Sequence, residues 1–475
     1  MTLRARIIAA AACAVLLAPL CAFSPSANNF ASNRAGGDFI VTAAPGYVPL
    51  AEMHGRERFP RGAQLLLIRD GKAQPLVTGF AATADADVSF DAETVLFAGK
   101  KAASDPWQIW ELTFKSSWVR KVITTDSDAE RPFYLPGGRM VWAQRTPHGF
   151  QIQSAEDGDE HPEFLNPTAG PGILPLTYTR TNAFPTGIVA DGRILFESGF
   201  PLGEGATPEL YLVYADGSGV ESYRCDHGPA RWGGSQLASG DVVFTHGSSL
   251  ARFTSPLAHE AHIAAPHAEY AGAIAETASG EWLLSARKPG ETHYAIHLWK
   301  PGSTSLTDVL AQDGEDLVEP VRIAHRNPPR RFPSGLSHWS FGNLLALDSR
   351  ISLAEGLRQA PASVRLETLD AANRVVVNGT APIESDGSFF VKVPPDRPIR
   401  FLLLDRKGTV LRREHGWFWI RGGEQRICVG CHAGPARAPD NRVPEVLLHT
   451  TTPVDLTGSV SQASMQLRAQ GGGTR

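Results

Sequence analysis

A short apolar segment recurs five times in the middle of the chain, each time after a turn rich in Gly, Asp or Glu. The five copies end at residues 97, 142, 196, 244 and 284, at intervals of 45, 54, 48 and 40 residues. A second apolar run follows most copies shortly afterwards, as at Glu209–Val213 and Ile296–Trp299. Repeats of this length, each holding several short strands, are typical of four-stranded β-propeller blades. The pattern predicts an all-β fold with a propeller over residues 62–330, after an N-terminal extension over 28–61.

Five clear repeats predict six blades, because the two ends of the repeat region would supply the sixth. Gln64–Ile68 and Pro75–Val77 would pair with strands near Glu319–Ile323, which removes exposed sheet edges from the ring. Seven blades are the alternative, since the longer intervals could hide another strand pair. The repeats resemble the WD40-like repeats of the TolB type, best at Phe133–Trp142 and Pro185–Phe196. That resemblance also implies a β-propeller.

A second β region follows a proline-rich connector at Asn327–Pro333. Its strand-like runs are separated by Asp-Gly or Pro turns and include Leu344–Asp348, Ser388–Val393 and Ile399–Leu404. Their number and length predict a small β-sandwich over residues 340–425. Gly416–Ile420 is its expected last strand, and it leads directly into the next motif.

That motif, Cys428-Val-Gly-Cys431-His432, spells C-x-x-C-H, the attachment signal for a c-type haem. Two thiols at this spacing can reach the two vinyl groups of a porphyrin, and the histidine then becomes the proximal iron ligand. A zinc half-site would need a second C-x-x-C or a histidine pair, and a thioredoxin-like site would need a βαβ unit. The sequence has no other C-x-x-C, and the βαβ pattern is missing as well. We predict one covalent haem c per chain, in a segment over 426–450, with a flexible tail over 451–475.

Further residues near the motif are candidates for contact with the haem. Arg421 and Arg426 could pair with the propionates, because a guanidinium fork suits a carboxylate. Trp417 and Trp419 alternate onto one strand face and could pack on the porphyrin or in an ordinary sandwich core.

The sixth iron ligand is left open by the sequence. His449 follows an apolar run that could fold back over the haem, and His415 lies just upstream of the motif. A five-coordinate iron, open to a small ligand, is the third alternative. A separate group of histidines, His259, His262 and His267, is read as a surface loop or a second metal site.

The N-terminus reads as an export signal. Arg4 and Arg6 precede the apolar stretch Ile7–Leu20, which is too short to span a bilayer comfortably. We predict a signal peptide over 1–27, with an uncleaved anchor as the alternative, and no membrane span in the mature chain. Of five cysteines, Cys225 alone lies outside both the signal and the haem motif, and we interpret it as a lone thiol with His227 as a conceivable co-ligand of a metal. The predicted location is the periplasm.

Several stretches of the second region resemble the middle domain of the hydrazine synthase alpha subunit. They are Ala381–Phe390, Val393–Pro398, Arg400–Asp405, Gly416–Glu424 and Cys428–His432. With the propeller before them, the similarity covers most of the mature chain. It implies an exported propeller, a β domain and a haem attached to the two motif cysteines, with the motif histidine beside it.

Two departures from that family are visible. The chain has a single C-x-x-C-H, and Ala436 stands where the family has an axial tyrosine, four residues beyond the motif histidine. We therefore expect a domain relative of the alpha subunit and not a synthase subunit.

The net charge of the chain and the motifs that it lacks exclude several classes of function. A net charge of −4 with 20% charged residues argues against a nucleic-acid partner. No P-loop, G-x-G-x-x-G or serine-nucleophile motif is present. We predict a periplasmic monohaem c-type protein that exchanges electrons with a redox partner protein or a small-molecule donor or acceptor, with the propeller as the docking platform for the partner. The alternatives are a haem oxidoreductase acting on a small nitrogen or oxygen compound at an open iron, and a propeller binding module with structural haem. Whether the chain is an enzyme stays open.

Overall fold

The chain folds into two all-β units, a ring of blades and a two-sheet sandwich. The computed structural model describes residues 27–29, 37–156, 172–224, 230–351, 357, 359–430 and 441–458. Over these residues, six sheets of four or five strands form the blades, and two further four-stranded sheets form the sandwich. The six-bladed propeller and the sandwich are therefore both confirmed.

The first blade is the one that closes the ring, and it is built from both ends of the propeller. Its strands are β2 (Phe39–Ala44), β3 (Gln64–Arg69), β4 (Lys72–Pro75) and, from the far end, β25 (Asp316–Arg322). Strand β1 (Ala27–Asn29) adds a fifth strand to the sixth blade. The sequence predicted the pairing across the ends but placed residues 39–44 in an extension before the propeller. Strand β2 was missed because its segment lies outside the repeats.

The remaining blades follow one another along the chain. The second and third consist of β5 (Ala82–Val88), β6 (Thr94–Lys100), β7 (Gln108–Thr113), β8 (Trp118–Ile123), β9 (Ala129–Leu135), β10 (Arg139–Thr146), β11 (Gly149–Glu156) and β12 (Ile173–Pro175). The fourth and fifth consist of β13 (Ala183–Ile188), β14 (Ile194–Gly199), β15 (Pro208–Val213), β16 (Glu221–Ser222), β17 (Arg231–Gln236), β18 (Val242–His246), β19 (Ser249–Phe253) and β20 (Ala261–His262). The sixth consists of β21 (Glu269–Glu276), β22 (Trp282–Arg287), β23 (Ala295–Trp299) and β24 (Thr307–Gln312).

The five predicted repeats are the second strands of blades two to six. Each of these strands has blade neighbours on both faces, so its residues are apolar almost without alternation. In β14, all six residues are buried. The side chains of Phe97, Trp142, Phe196 and Phe244 are all 1% exposed or less, so the repeat pattern records the core of each blade.

The sandwich packs two sheets over one apolar core. One sheet has the strand order β32 (Gln425–Cys428), β26 (Gly342–Ala346), β29 (Phe389–Val393) and β33 (Val454–Asp455). The other has the order β28 (Val375–Pro382), β27 (Ser363–Leu369), β30 (Ile399–Leu404) and β31 (Val410–Arg413). The short helix α1 (Glu445–His449) follows the haem motif. Strand β33 lies inside the segment expected to be a flexible tail.

The segment Gly416–Ile420 is not the strand that the sequence predicted. Phe418 forms one isolated bridge to Ile399, and the flanking Trp417 and Trp419 are fully buried. Trp419 belongs to a core cluster of the third and fourth blades. The segment therefore joins the sandwich to the propeller. Within the described ranges, the structure contains no helix with the length and apolar character needed to cross a bilayer.

Candidate functional site

A cavity of about 260 Å³ lies between the fourth blade and the sandwich. The propeller contributes one wall, made mainly of Phe200, Pro201, Leu202, Tyr211 and Val220. The sandwich contributes the other, made mainly of Leu344, Ala346, Phe389, Phe401, Trp417 and Phe418. Both walls are largely apolar and aromatic, which suits a flat apolar ligand with a polar edge.

Strand β32 presents the first half of the C-x-x-C-H motif to this cavity. It pairs in parallel with β26, with Cys428 opposite Ala346, and alternation along the strand puts Arg426 on the same side. Both residues line the cavity, whereas the intervening Ile427 is 63% exposed. Burial raises the pKa of the Cys428 thiol, although the Arg426 charge acts in the opposite direction.

Arg426 carries an unused hydrogen-bond donor beside the cavity. Its Nη2 donates to the carbonyl oxygen of Val220, and its Nη1 lies 3.7 Å from Glu424 Oε1. Nη1 is buried and has no hydrogen-bond partner among the described residues. A buried guanidinium donor without an acceptor is costly, so the site is suited to an anionic group such as a haem propionate.

The second x residue of the motif lies close against the sandwich. Gly430 also lines the cavity, and a Cβ at this position would lie 2.7 Å from the Cβ of Ile351. A glycine at the second x position therefore lets the motif pass close to the sandwich. Cys431 and His432 follow directly but lie outside the described residues. The apolar walls, the Cys428 thiol and the free donor of Arg426 fit a covalently held haem.

The structure separates the two predicted arginines. Arg421 is 5% exposed and does not line the cavity. Its Nη1 donates to the carbonyl oxygens of Pro175 at 2.8 Å and Asp216 at 2.7 Å, and its Nε lies 2.6 Å from Asp396 Oδ1. Arg421 thus contacts the loops of the third and fourth blades and the sandwich, so its guanidinium is already committed to the domain interface.

The two predicted axial histidines also lie in different places. His415 lines the cavity, and within the described residues it is the only histidine that does. His449 lies at the end of α1, where its Nδ1 is 3.2 Å from Glu384 Oε2. It is not part of the cavity wall. The apolar run before His449 folds onto the sandwich through Val446, not over the cavity.

The two tryptophans have different surroundings as well. Trp417 lines the cavity, and its Nε1 donates to Glu204 Oε1 at 2.6 Å. Trp419 points into the blades, where its Nε1 donates to the carbonyl oxygen of Gly217 at 2.8 Å. The prediction that one of them packs on a porphyrin stays open for Trp417 and has no support for Trp419.

The propeller wall of the cavity was missed in the sequence. Its residues come from the loop after β14 and from β15 and β16, and nothing in their local pattern distinguishes them from other blade residues. The backbone N–H of Trp417 donates to the carbonyl oxygen of Leu202 at 2.7 Å, and this contact is what brings that loop to the motif. The sequence could have revealed this wall only through the pairing of residue 417 with residue 202, which is distant in the chain.

A second cavity, of about 360 Å³, lies at the centre of the ring and is lined by the inner strands of the blades. The segment between β2 and β3 sends Glu52 and Arg58, both buried, into the centre. Arg58 lies within 2.9 Å of Glu52 and 2.5 Å of both Asp85 and Glu319, while Arg131 bonds to Glu52 and to Glu197. These ion pairs join strands of four blades.

Comparison with known proteins agrees with this architecture. Residues 349–433 match the family described as the hydrazine synthase alpha subunit middle domain. Among solved structures, the hydrazine synthase of Kuenenia stuttgartiensis is similar at 16% identity and a TM-score of 0.74, covering 87% of this chain and 72% of that chain.

TolB from Acinetobacter baumannii matches at 12% identity and a TM-score of 0.45, over 60% of this chain and 66% of that chain. No curated protein matches the chain in sequence. The resemblance to hydrazine synthase seen in the residues is thus confirmed by the sequence match to residues 349–433 and by the fold of most of the chain. Residues 349–433 are thus similar to the hydrazine synthase alpha subunit middle domain, and most of the chain shares the fold of a hydrazine synthase structure.

Proposed function

We propose that this protein is an exported monohaem c-type protein that passes electrons between a donor and an acceptor, with its haem in the cavity between propeller and sandwich. The observation that carries the proposal is that Cys428, the first cysteine of a C-x-x-C-H motif, lines an apolar cavity beside an unused arginine donor. The relation to hydrazine synthase supports a redox role. The export signal supports a periplasmic location, because haem is attached to c-type proteins outside the cytoplasm.

Four residues of the motif region would hold the haem. Cys428 and Cys431 would form the thioethers, and His432 would be the proximal ligand. Arg426 would neutralise a propionate and limit its movement. The bound haem supplies a one-electron iron couple. The apolar walls would exclude water from it, and burial together with the histidine ligand would set its reduction potential.

His415 is the favoured sixth ligand in this proposal. It lines the cavity, whereas His449 does not and is paired with Glu384. A histidine on each side of the iron would give a low-spin centre suited to electron transfer and closed to small molecules. Trp417, which also lines the cavity and is held by Glu204, would form part of the rigid wall.

The second candidate function is an oxidoreductase with an open iron position. The observation that favours it is that the His415 side chain is exposed at the cavity and belongs to no regular strand. If His415 stays away from the iron, a small nitrogen or oxygen compound could bind there, as the relation to hydrazine synthase would suggest.

Covalent attachment is tested by producing the chain in cells that mature c-type cytochromes and measuring its intact mass. We expect the mature mass plus one haem for the wild type and for C225S, and the bare mature chain for C428S/C431S. A wild-type mass without haem would overturn the proposal.

Iron ligation is tested by reduced and oxidised spectra before and after carbon monoxide. We expect a low-spin wild type that ignores carbon monoxide, a high-spin H415A that binds it, and an H449A control identical to wild type. A wild type that binds carbon monoxide would favour the oxidoreductase over electron transfer.

A further inference from the structure

Three side chains with metal-binding atoms converge on the outer half of the fifth blade, and they share no residue with the haem cavity. They are His246, Glu260 and His262, and their ligand atoms all lie within 4.8 Å of one another. Two are imidazoles and one is a carboxylate. The sequence had grouped His262 with His259 and His267, but the structure brings it to His246 instead.

The fold of the blade explains how the three residues meet. His246 ends β18, and a tight turn leads to Ser249 opposite it on β19. His262 ends β20, opposite Ala251 of β19. The two rings reach across the end of β19 and stack, with centroids 5.7 Å apart and planes 19° from parallel.

A buried arginine fixes the carboxylate between the histidines and the blade core. Arg231 Nε donates to Glu260 Oε2 at 2.7 Å, and Arg231 itself is buried and also paired with Glu209. The other oxygen, Oε1, contacts His246 Nδ1. Arg231 thus occupies one carboxylate oxygen and leaves the second one on the side of the imidazoles, the arrangement in which outer partners orient a metal ligand.

His262 has no hydrogen bond or ion pair among the described residues and is exposed. Its ring stacks on that of His246, and at least one of its nitrogens is available to a ligand. Two imidazoles and one carboxylate, with the remaining positions open to water, form a donor set that suits zinc and other first-row divalent ions.

We propose that His246, Glu260 and His262 form a zinc site on the fifth blade. Nitrogen donors favour Zn²⁺ over Ca²⁺ and Mg²⁺, which prefer sites made of oxygen atoms. The ion would connect β18 to β20 across β19. Because β20 has only two residues, a metal link would hold an outer strand that backbone pairing alone secures weakly.

A second cluster, Glu384, Glu445 and His449, offers a weaker donor set. It has a single imidazole, and Glu445 Oε2 already accepts hydrogen bonds from Ser385 Oγ at 2.6 Å and from the Asp386 N–H at 3.2 Å. The fifth-blade cluster is therefore the one that carries the inference.

The test is a calorimetric titration of the haem-loaded full chain with Zn²⁺ after removal of bound metal by a chelator. We expect a specific site that H246A or H262Q weakens by at least about tenfold, as the loss of a ligand should. The matched control is H259A, an exposed histidine of the same segment, which should bind as the wild type does.

A second measurement excludes misfolding as the cause of weaker zinc binding. H262Q changes an exposed side chain, and its circular dichroism and haem content should equal those of the wild type. An anomalous scattering peak among the three side chains at the zinc edge would support the site. The inference is overturned if the wild type binds no Zn²⁺, or if H246A and H262Q bind it with unchanged stoichiometry and affinity.

Discussion

Arg58 is the residue on which the charge balance at the centre of the propeller depends. Its guanidinium contacts the carboxylates of Glu52, Asp85 and Glu319, and it is 4% exposed. Buried carboxylates are strongly destabilising without a partner, so the cost of removing the arginine is the cost of leaving several charges unpaired. The same chemistry at the surface contributes little, because water screens it.

We predict that R58L lowers the free energy of unfolding by about 3–5 kcal/mol, because the buried Asp85 and the partly buried Glu319 lose their cation and Glu52 keeps only Arg131. Denaturant unfolding of the haem-loaded protein measures the change. The control is R69A, which breaks the pair with Asp38 through an arginine whose side chain is 51% exposed. A loss of less than about 1 kcal/mol in both variants would show that the central cluster is not stabilised by Arg58.

Glu130 lies next to this cluster, and its pKa is raised by the surroundings. Burial, reinforced by the nearby carboxylates and opposed by Arg58, raises its pKa to about 8. The folded protein therefore holds a proton that the unfolded chain releases at lower pH. Stability should fall as the pH rises from about 4.5 to about 8, and the loss is complete above that range.

We predict that E130Q, which stays neutral at every pH, removes this slope and stabilises the protein above pH 8 by about 1–3 kcal/mol. Unfolding midpoints at acidic and alkaline pH measure the effect. E57Q, at an exposed glutamate of the same region, is the control and should leave the slope unchanged. The prediction would be contradicted if E130Q and the wild type lost stability in parallel.

Individual site residues could be predicted only where the sequence carries a local rule. The C-x-x-C-H spacing identified Cys428. Because side chains alternate along a strand, Arg426, two residues earlier, lines the same cavity. The position of Arg421 could not be predicted, because its partners Pro175 and Asp216 are more than two hundred residues away in the chain. Long-range partners of this kind leave no periodic signal in a single sequence.

At the scale of elements, the segment Gly416–Ile420 shows why an apolar alternating run is ambiguous. Its pattern is that of a strand, but its tryptophans are shared between two domains and only Phe418 forms a bridge. Strands with continuous apolar cores, such as β6 and β14, were predicted correctly because both of their faces are buried. The two-residue strands β16, β20 and β33 are too short for any pattern.

We predict that W419F destabilises the protein by about 1–3 kcal/mol, because the buried carbonyl oxygen of Gly217 loses its donor and the smaller phenyl ring leaves part of the indole's space empty. Thermal unfolding followed by circular dichroism measures the loss. W118F is the matched control, since Trp118 is 58% exposed. Equal melting temperatures for W419F and the wild type would mean that this contact between the sandwich segment and the propeller contributes nothing.

At the scale of the whole molecule, the propeller forms one wall of the cavity that Cys428 lines. Leu202 and Tyr211 face Leu344 and Phe389 across it, and the Trp417 backbone bonds directly to Leu202. The environment of a haem attached to the sandwich would therefore depend on residues of the fourth blade. A docking platform that only recruited partners would leave the haem itself unaffected by changes in that blade.

This difference can be measured with a charge placed in the propeller wall. We predict that L202E leaves covalent attachment intact but lowers the reduction potential by an amount on the order of tens of millivolts, because a nearby anion stabilises the ferric state. Potentiometric titration gives the potential, and intact mass confirms attachment. The control L257E places the same charge on a fifth-blade side chain that is 60% exposed, and it should not shift the potential. Identical potentials for L202E and L257E would mean that the fourth blade does not shape the haem site.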